Sequence, residues 1–207
     1  MPVANFVLGP IQTNCYVLHK NSNAVIIDVG GDPKEVLTYL DTNKLTLSAI
    51  CITHLHFDHI YGVAALAEQT KAPVYVPQGD SAIADTEASK GGIWGLPTVT
   101  PFSSVPIEPH ETVFADMPCR ILPTPGHTPG SLSYYFPEEH CVFSGDALFY
   151  RSVGRTDFPL GDSSLLFASI RKELFALPGN TLVYPGHGPS TTIHDEKANN
   201  PFCGDFC

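Results

Sequence analysis

Short apolar runs, rich in Val and Ile and bounded by Gly, Pro or Asn, recur along the chain and predict β-strands. In the first half of the chain they cover residues 4–8, 14–19, 24–29, 49–52 and 73–77. In the second half they cover residues 112–115, 120–123, 131–136, 140–143 and 181–184. The run at 49–52 has no charged position, which indicates a strand that is buried on both faces.

Between these runs, apolar residues at a spacing of three or four predict helices. The first helix is expected to begin with Asp32 as N-cap, Pro33 as first helical residue and Glu35 in a capping box. A second is predicted over residues 59–69 and a third over residues 162–177. The third carries one apolar stripe, made of Leu166, Ile170, Leu174 and Leu177. Strand-rich halves with helices between them favour a layered α/β protein.

The segment 78–110 is irregular, because seven Gly and Pro residues between positions 91 and 109 interrupt any long element. These are Gly91, Gly92, Gly95, Pro97, Pro101, Pro106 and Pro109. A loop of this length is either a functional lid or binding edge, or a solvated excursion, and both interpretations stay open. A short irregular tail is predicted after the last strand.

The composition narrows the class of protein. A chain of 207 residues suits one domain, here 1–207. The net charge of −10, with 11 Lys plus Arg, gives no basic stripe, so neither nucleic acid nor an anionic membrane is expected as a partner. No signal peptide or membrane span is expected from the sequence.

The six cysteines form no Cys-x-x-Cys pair, and Cys51 and Cys141 lie inside apolar runs. Buried thiols in a reducing, cytoplasmic setting are therefore expected. Cys203 and Cys207 lie in the tail, where a disulfide or a metal role is the alternative to ordinary thiols.

The segment that carries chemistry follows the buried run at 49–52 and reads His54-x-His56-x-Asp58-His59. Residues two apart in an extended strand end point the same way, so His54 and His56 can converge on one cation. Asp58 and His59, at the turn into a helix, can address a second cation. Imidazole and carboxylate are good zinc ligands, and imidazole also suits iron.

Three further candidates follow other strand-like runs, each directly after a glycine: His127, Asp146 and His187. Glycine permits the tight turns and close backbone approach that a strand end of this kind requires. With the first motif they supply seven ligands, enough for two metal ions with positions left for water and substrate. Four other histidines, His19, His110, His140 and His194, have no such setting and are interpreted as ordinary residues.

This ordered set of seven residues resembles the metallo-β-lactamase fold superfamily over nearly the whole chain. The resemblance implies a four-layer αββα sandwich with two metal ions at one edge of its sheets. It implies that His54, His56 and His127 bind the first ion, that Asp58, His59 and His187 bind the second, and that Asp146 bridges both.

Within that superfamily, the glyoxalase II-like thioester hydrolases are the most similar group. The resemblance lies in residues 145–149 (GDALF), 154–159 (GRTDFP), 185–189 (PGHGP) and 200–202 (NPF). Zinc β-lactamases mostly carry Cys or Ser where Asp146 stands, which disfavours antibiotic hydrolysis. Arg155 falls near the position of a basic residue that contacts glutathione, with a surface ion pair to Asp157 as the alternative. Only 20 residues follow His187, so the helical glutathione-binding domain of glyoxalase II is not expected.

The resemblance implies a binuclear hydrolase of small acyl thioesters, with Asp58 and Asp146 as catalytic carboxylates and Arg155 as a substrate contact. Two divalent ions are expected, zinc first, with iron or manganese as alternatives. The main alternative is a persulfide dioxygenase with a single iron ion, which His54, His127 and Asp146 would hold. A lactonase on the same site and a non-catalytic binding module are further alternatives.

Overall fold

In a computed structural model, which describes residues 3–93 and 95–204, the chain forms two six-stranded sheets. The first sheet follows the order of the chain. Its strands are β1 (Ala4–Leu8), β2 (Thr13–Lys20), β3 (Asn23–Ile27), β4 (Thr46–Cys51), β5 (Val74–Pro77) and β6 (Val105–Ile107). Strands β1 to β3 are antiparallel neighbours, and β3 to β6 run parallel.

The second sheet has the order β14-β13-β10-β9-β8-β7. Its strands are β7 (Glu111–Phe114), β8 (Met117–Pro123), β9 (Leu132–Phe136), β10 (Cys141–Gly145), β13 (Leu182–Pro185) and β14 (Thr191–Thr192). A short hairpin lies between β10 and β13 in the chain and consists of β11 (Leu148–Phe149) and β12 (Ser152–Val153).

Six α-helices complete the fold of the described residues. They are α1 (Lys34–Thr42), α2 (Phe57–Ile60), α3 (Val63–Thr70), α4 (Glu87–Lys90), α5 (Ser163–Ser169) and α6 (Ile193–Asn199). Helix α5 continues into a π-helical turn over Ile170–Leu174. Asp162 caps α5 by accepting a hydrogen bond from the Leu165 N–H over 3.0 Å.

Alternation along the strands assigns successive side chains to different layers. In β3, Ile26 packs in the core beneath α1 and α3, whereas Ile27 packs between the sheets. In β10, Phe143 packs between the sheets and Val142 packs with the residues of α5. Both sheets are thus buried on both faces, and the predicted αββα sandwich is confirmed.

The helix expected over residues 59–69 is interrupted, because the backbone at its start is bonded elsewhere. Val29 donates its N–H to the His59 carbonyl, and Gly62 donates its N–H to the Val29 carbonyl, each over 2.8 Å. The chain therefore ends α2 at Ile60 and begins α3 at Val63.

Other boundaries also differ from those predicted. Helix α1 begins at Lys34, with Pro33 as N-cap and without the expected capping box, although Asp32 accepts a hydrogen bond from the Lys34 N–H over 3.0 Å. The segment 78–110 contains a 3₁₀ turn, α4 and β6. The tail is not irregular, since it contains β14 and α6, and Thr192 caps α6 by accepting from the Asp195 N–H.

Four of the cysteines are buried thiols: Cys15, Cys51, Cys119 and Cys141. Burial raises the pKa of each. Cys203 is buried as well, and Cys207 lies outside the described residues. Within ranges 3–93 and 95–204, no helix is long and apolar enough to cross a membrane.

Candidate metal centre

The predicted ligands follow the carboxyl ends of β4, β8, β10 and β13. Strands β8 and β10 are both antiparallel to β9, and β13 is parallel to β10, so the ends of these three strands lie at one edge of the second sheet. The end of β4 reaches the same edge from the first sheet. The fold therefore brings residues from four distant parts of the chain to one place.

Three imidazoles form the first group. The Nε2 atom of His127 lies 3.2 Å from Nε2 of His54 and 2.9 Å from Nδ1 of His56. All three rings are buried. Their three nitrogens converge on one point, as expected for the first predicted ligand set.

The second group contains Asp58, His59 and His187. Oδ2 of Asp58 lies 3.6 Å from Nε2 of His59 and 3.2 Å from Nε2 of His187. The hydroxyl of Thr13 donates to the same Asp58 oxygen over 3.0 Å. This group has the composition of the second predicted ligand set.

Asp146 lies between the two groups. Its Oδ1 is 3.3 Å from Nε2 of His59, and its Oδ2 is 3.6 Å from Nε2 of His127 and 3.7 Å from Nε2 of His187. One carboxylate thus reaches both groups, which is the position a bridging ligand requires. The structure brings all seven predicted residues together.

Two observations indicate that the seven clustered side chains are suited to binding metal ions. Nε2 of His59 and Oδ1 of Asp146 are buried polar atoms without a hydrogen-bond partner among the described residues, an expensive arrangement unless another group satisfies them. In addition, the nitrogens of His54, His56 and His127 face each other at distances where only one proton can lie between each pair. Neutral nitrogens and carboxylate oxygens form the donor set that zinc and iron accept.

The charges in the cluster divide between the two groups. Burial, reinforced by the neighbouring imidazoles, lowers the pKa of His54 and lowers that of His56 to about 3, so both rings are neutral. Burial also opposes a charge on His59, but Asp28 and Asp146 outweigh it and raise the pKa of His59. Burial likewise opposes ionisation of Asp146, and the nearby His59 outweighs it and lowers the carboxyl pKa. The second group is therefore the ionic half of the cluster.

Sequence reasoning missed Asp28, which orients two parts of the centre. Its carboxylate accepts hydrogen bonds from Nδ1 of His59 over 2.7 Å and from the hydroxyl and N–H of Thr53 over 2.7 and 2.8 Å. A carboxylate at the end of an apolar strand run was the signal that could have identified it.

Asp80 was missed as well, although it joins the loops of both sheets. It accepts from the Leu55 N–H, the Thr128 hydroxyl and the Gly130 N–H over 2.9, 3.0 and 2.7 Å. Leu55 lies between His54 and His56, and Thr128 follows His127. Asp80 lies three residues after the end of β5, in the 3₁₀ turn, a position like those of the predicted ligands.

The loop of His187 depends on Asn14 and on a glycine. The side-chain amide of Asn14 donates to the carbonyls of Pro185 and Gly188, each over 2.9 Å. A Cβ on Gly186 would overlap Oδ1 of Asp146. This glycine is therefore required by the close approach of the backbone to the cluster.

A cleft of about 710 Å³ opens onto the cluster, a size typical of small-molecule sites. Arg155 lines it, and its carbonyl accepts from Nδ1 of His127 over 2.7 Å, which turns Nε2 toward the first group. The Arg155 guanidinium forms two hydrogen bonds with Asp157, over 2.7 and 2.6 Å. Arg151 pairs instead with Asp195 and Glu196 on α6.

The remaining histidines of the chain lie outside the cluster, as predicted. Among the described residues, the groups able to hold a metal ion are made of the seven predicted side chains. His110, for example, lies on the surface and contacts the Glu108 carbonyl.

Comparison with known proteins places these observations in context. Residues 8–187 match the Metallo-beta-lactamase superfamily. A probable metallo-hydrolase of Bacillus subtilis is 38% identical over 96% of this chain and 96% of its own length. Hydroxyacylglutathione hydrolase GloC of Haemophilus influenzae is 32% identical over 92% of each chain.

Solved structures show the same similarity. TTHA1623 in a di-iron-bound form is 40% identical, with a TM-score of 0.87 over 96% of this chain and 99% of that one. The B3 metallo-beta-lactamase BLEG-1 is 39% identical, with a TM-score of 0.83 over 98% of this chain and 99% of that one. ETHE1 from Myxococcus xanthus is 33% identical, with a TM-score of 0.78 over 98% and 84%.

Proposed function

The chain belongs to the metallo-β-lactamase superfamily, and on that premise we propose that it is a binuclear metallo-hydrolase that cleaves small acyl thioesters. The observation that carries the proposal is the position of Asp146 between two complete ligand groups. A single-ion enzyme would not need the second group, in which Asp58, His59 and His187 supply one carboxylate and two imidazoles.

In this proposal His54, His56 and His127 hold one ion, and Asp58, His59 and His187 hold the other, with Asp146 shared. Zinc is the expected metal, with iron or manganese as alternatives; the di-iron form belongs to TTHA1623. Two bound divalent ions supply water activation near neutral pH and polarisation of a substrate carbonyl.

The chain itself supplies orientation and proton acceptance. Asp58 and Asp146 are ionised, both line the cleft, and Thr13 fixes Asp58 through a 3.0 Å hydrogen bond. These carboxylates accept hydrogen bonds from the attacking water and hold its oxygen toward the acyl carbon. A thiolate leaving group has an ordinary pKa of about 8.5 and departs without a strong general acid.

Substrate binding is proposed to involve Arg155. Its side chain is 60% exposed and lines the cleft beside Phe158, so it can reach a polar group of the thiol half. The name of the Haemophilus influenzae relative, a hydroxyacylglutathione hydrolase, supports a thioester substrate. We propose a single-domain enzyme that meets this substrate as a free small molecule in the cytoplasm.

A mononuclear iron persulfide dioxygenase is the second candidate, and the similarity to ETHE1 of Myxococcus xanthus loosely fits it. Its three ligands would be His54, His127 and Asp146. The Asp58, His59 and His187 group favours hydrolysis, because it gives the second ion its own ligands.

The test combines metal analysis with a substrate panel. Purified protein is assayed for bound metal and for turnover of S-lactoylglutathione, a neutral thioester, a lactone, a β-lactam, and glutathione persulfide with oxygen. Two equivalents of metal with thioester cleavage are expected. One iron with oxygen consumption and no thioester cleavage would replace the proposal by the second candidate. Turnover of the lactone or the β-lactam alone would retain the metal site and reject the thioester.

A further inference from the structure

We infer that the cleft binds the acyl half of its substrate as an uncharged, apolar chain, against the wall formed by Ile83, Ala88, Ile93 and Leu96. This inference rests on the proposed thioester hydrolysis and specifies its substrate class. The wall belongs to the irregular segment 78–110, for which the sequence left a binding edge and a solvated excursion as alternatives.

The position of this wall beside the centre is fixed by packing. Helix α4 lies against α2, the helix that carries Asp58 and His59. A Cβ on Gly91 would already contact Phe57 Cβ at 3.4 Å, so the end of α4 lies directly over the start of α2. The segment is therefore part of the site and not a solvated excursion.

The chemistry of the wall is apolar. Ile83 is buried, while Ile93 and Leu96 are half-buried and face the cleft. A turn holds the last two together, since the Leu96 N–H donates to the Ile93 carbonyl over 2.8 Å. An apolar ligand that covers this partly exposed surface removes it from water, which favours binding.

The charges of the cleft disfavour an anionic acyl group on this side. Glu87 lies on the wall, close to the position expected for the acyl chain. Lys90, the cation of α4, is 2.8 Å from Asp85. A carboxylate carried on the acyl chain along this wall would thus meet the Glu87 carboxylate, while the Lys90 cation is already paired with Asp85.

Another part of the cleft lining differs in character. It holds Arg155, whose guanidinium lies 4.1 Å over the Phe158 ring and pairs with Asp157. This pair lowers the pKa of Asp157 to about 2, so both partners are charged. A polar thiol half is best placed here, which leaves the wall of Ile83, Ala88, Ile93 and Leu96 to the acyl half.

The expected effect follows from the transfer free energy of a methylene group, about 0.8 kcal/mol, or roughly fourfold per fully buried group. Because Ile93 and Leu96 are only half-buried, a methylene group against them is expected to gain less than this full transfer free energy. The expected rise in kcat/KM is therefore about two- to fourfold per methylene. The experiment uses thioesters of one neutral thiol, N-acetylcysteamine, with acetyl, butyryl, hexanoyl and succinyl groups. Succinyl is expected to react at least tenfold more slowly than butyryl.

Variants identify the wall. Leu96→Ala and, independently, Ile93→Ala are expected to reduce the rise in kcat/KM from the acetyl to the hexanoyl thioester. The matched control is Leu165→Ala, because Leu165 is an exposed residue of α5 that does not line the cleft. This variant should keep the full dependence of kcat/KM on acyl length.

The outcomes separate this inference from the proposed function. Turnover of all four thioesters at equal rates, or a preference for succinyl, would overturn the inference and retain the hydrolase. A length dependence that survives in both wall variants would also overturn it. Absence of any thioester turnover in the metal-loaded protein would instead reject the proposed function.

Discussion

The Asp28 carboxylate lies 2.7 Å from Nδ1 of His59, and both groups are buried. Because an ionised carboxylate only accepts hydrogen bonds, the proton of the ring lies on Nδ1. Nε2 of His59 then faces Asp146 at 3.3 Å. In the metal-free cluster the neighbouring carboxylates favour a second proton on this ring, and a metal ion at Nε2 would take the place of that proton. Carboxylates of this kind commonly fix the tautomer and raise the basicity of a histidine ligand.

Replacing Asp28 is therefore expected to weaken the second ion selectively. Asp28→Asn should lower affinity for the second metal equivalent and turnover by about 10- to 100-fold, the usual effect of losing such a partner. Metal titration followed by activity at fixed free zinc measures it. Asp41→Asn, an exposed change on α1, is the control. Two equivalents bound with unchanged affinity would contradict the role of Asp28.

Asp80 is expected to be a positioning residue for the first group. In Asp80→Asn an amide N–H must face one of the three donors now satisfied by the carboxylate. The free energy of unfolding should fall by about 1–3 kcal/mol, as for other buried unsatisfied groups. Affinity for the first ion should fall with it, because Leu55 and Thr128 adjoin its histidines. Denaturant unfolding of the metal-free protein and metal titration measure the two effects separately.

Asp146→Ala is expected to abolish turnover and release at least one metal equivalent while the fold survives. Asp146 is the side chain that approaches both groups, and its removal leaves two cations unshielded from each other. Metal analysis, circular dichroism and thioester assays on the same sample check this. Full metal content with ordinary turnover would reject Asp146 as the shared ligand.

Gly186→Ala is expected to damage the centre without touching a ligand. The added methyl group would overlap Oδ1 of Asp146, so either that carboxylate or the His187 loop must move. Turnover should fall at least tenfold. Gly179→Ala is the matched control, since its Cβ would approach only His194, at 3.3 Å. Equal activity of the two variants would show that the Gly186 contact is unimportant.

The metal-free protein is expected to lose stability on acidification between pH 6.5 and 5. Burial lowers the pKa of His56 to about 3, so in this range the unfolded chain binds a proton that the native His56 does not. The free energy of unfolding is unaffected by this group above pH 6.5. Below pH 6.5 it decreases as the pH falls, by up to about 1.4 kcal/mol per pH unit. Asp80 has the opposite effect on stability. Burial raises its pKa, so on acidification the native state binds a proton at Asp80 before the unfolded chain does.

His56→Gln isolates this effect from the other titrating groups. Its free energy of unfolding should vary less steeply with pH than that of the unchanged protein, measured by denaturant titration at several pH values. His110→Gln, a surface change, should retain the original slope. Parallel pH profiles for all three proteins would show that His56 is not neutral in the metal-free fold.

The layered fold and the ligands of the 54–59 segment were predictable because their signals are local. Alternation of side chains along a strand and the spacing of His54, His56, Asp58 and His59 are properties of neighbouring residues. The role of Arg155 could be predicted only in part from the sequence. The sequence offered both a substrate contact and a pair with Asp157; the structure contains the pair, and the substrate contact stays a prediction.

Tertiary structure decided what depends on residues far apart in the chain. The hydrogen bonds of Asp28 and Asp80 span 31 and 25 residues to His59 and Leu55, and no local pattern specifies which donor a buried carboxylate will meet. The break between α2 and α3 has the same origin, since Val29 takes the backbone groups of His59 and Gly62. The sequence by itself thus determined which side chains could bind metal. Folding determined their orientation, because buried polar groups must find partners that only the packed sheets bring within reach.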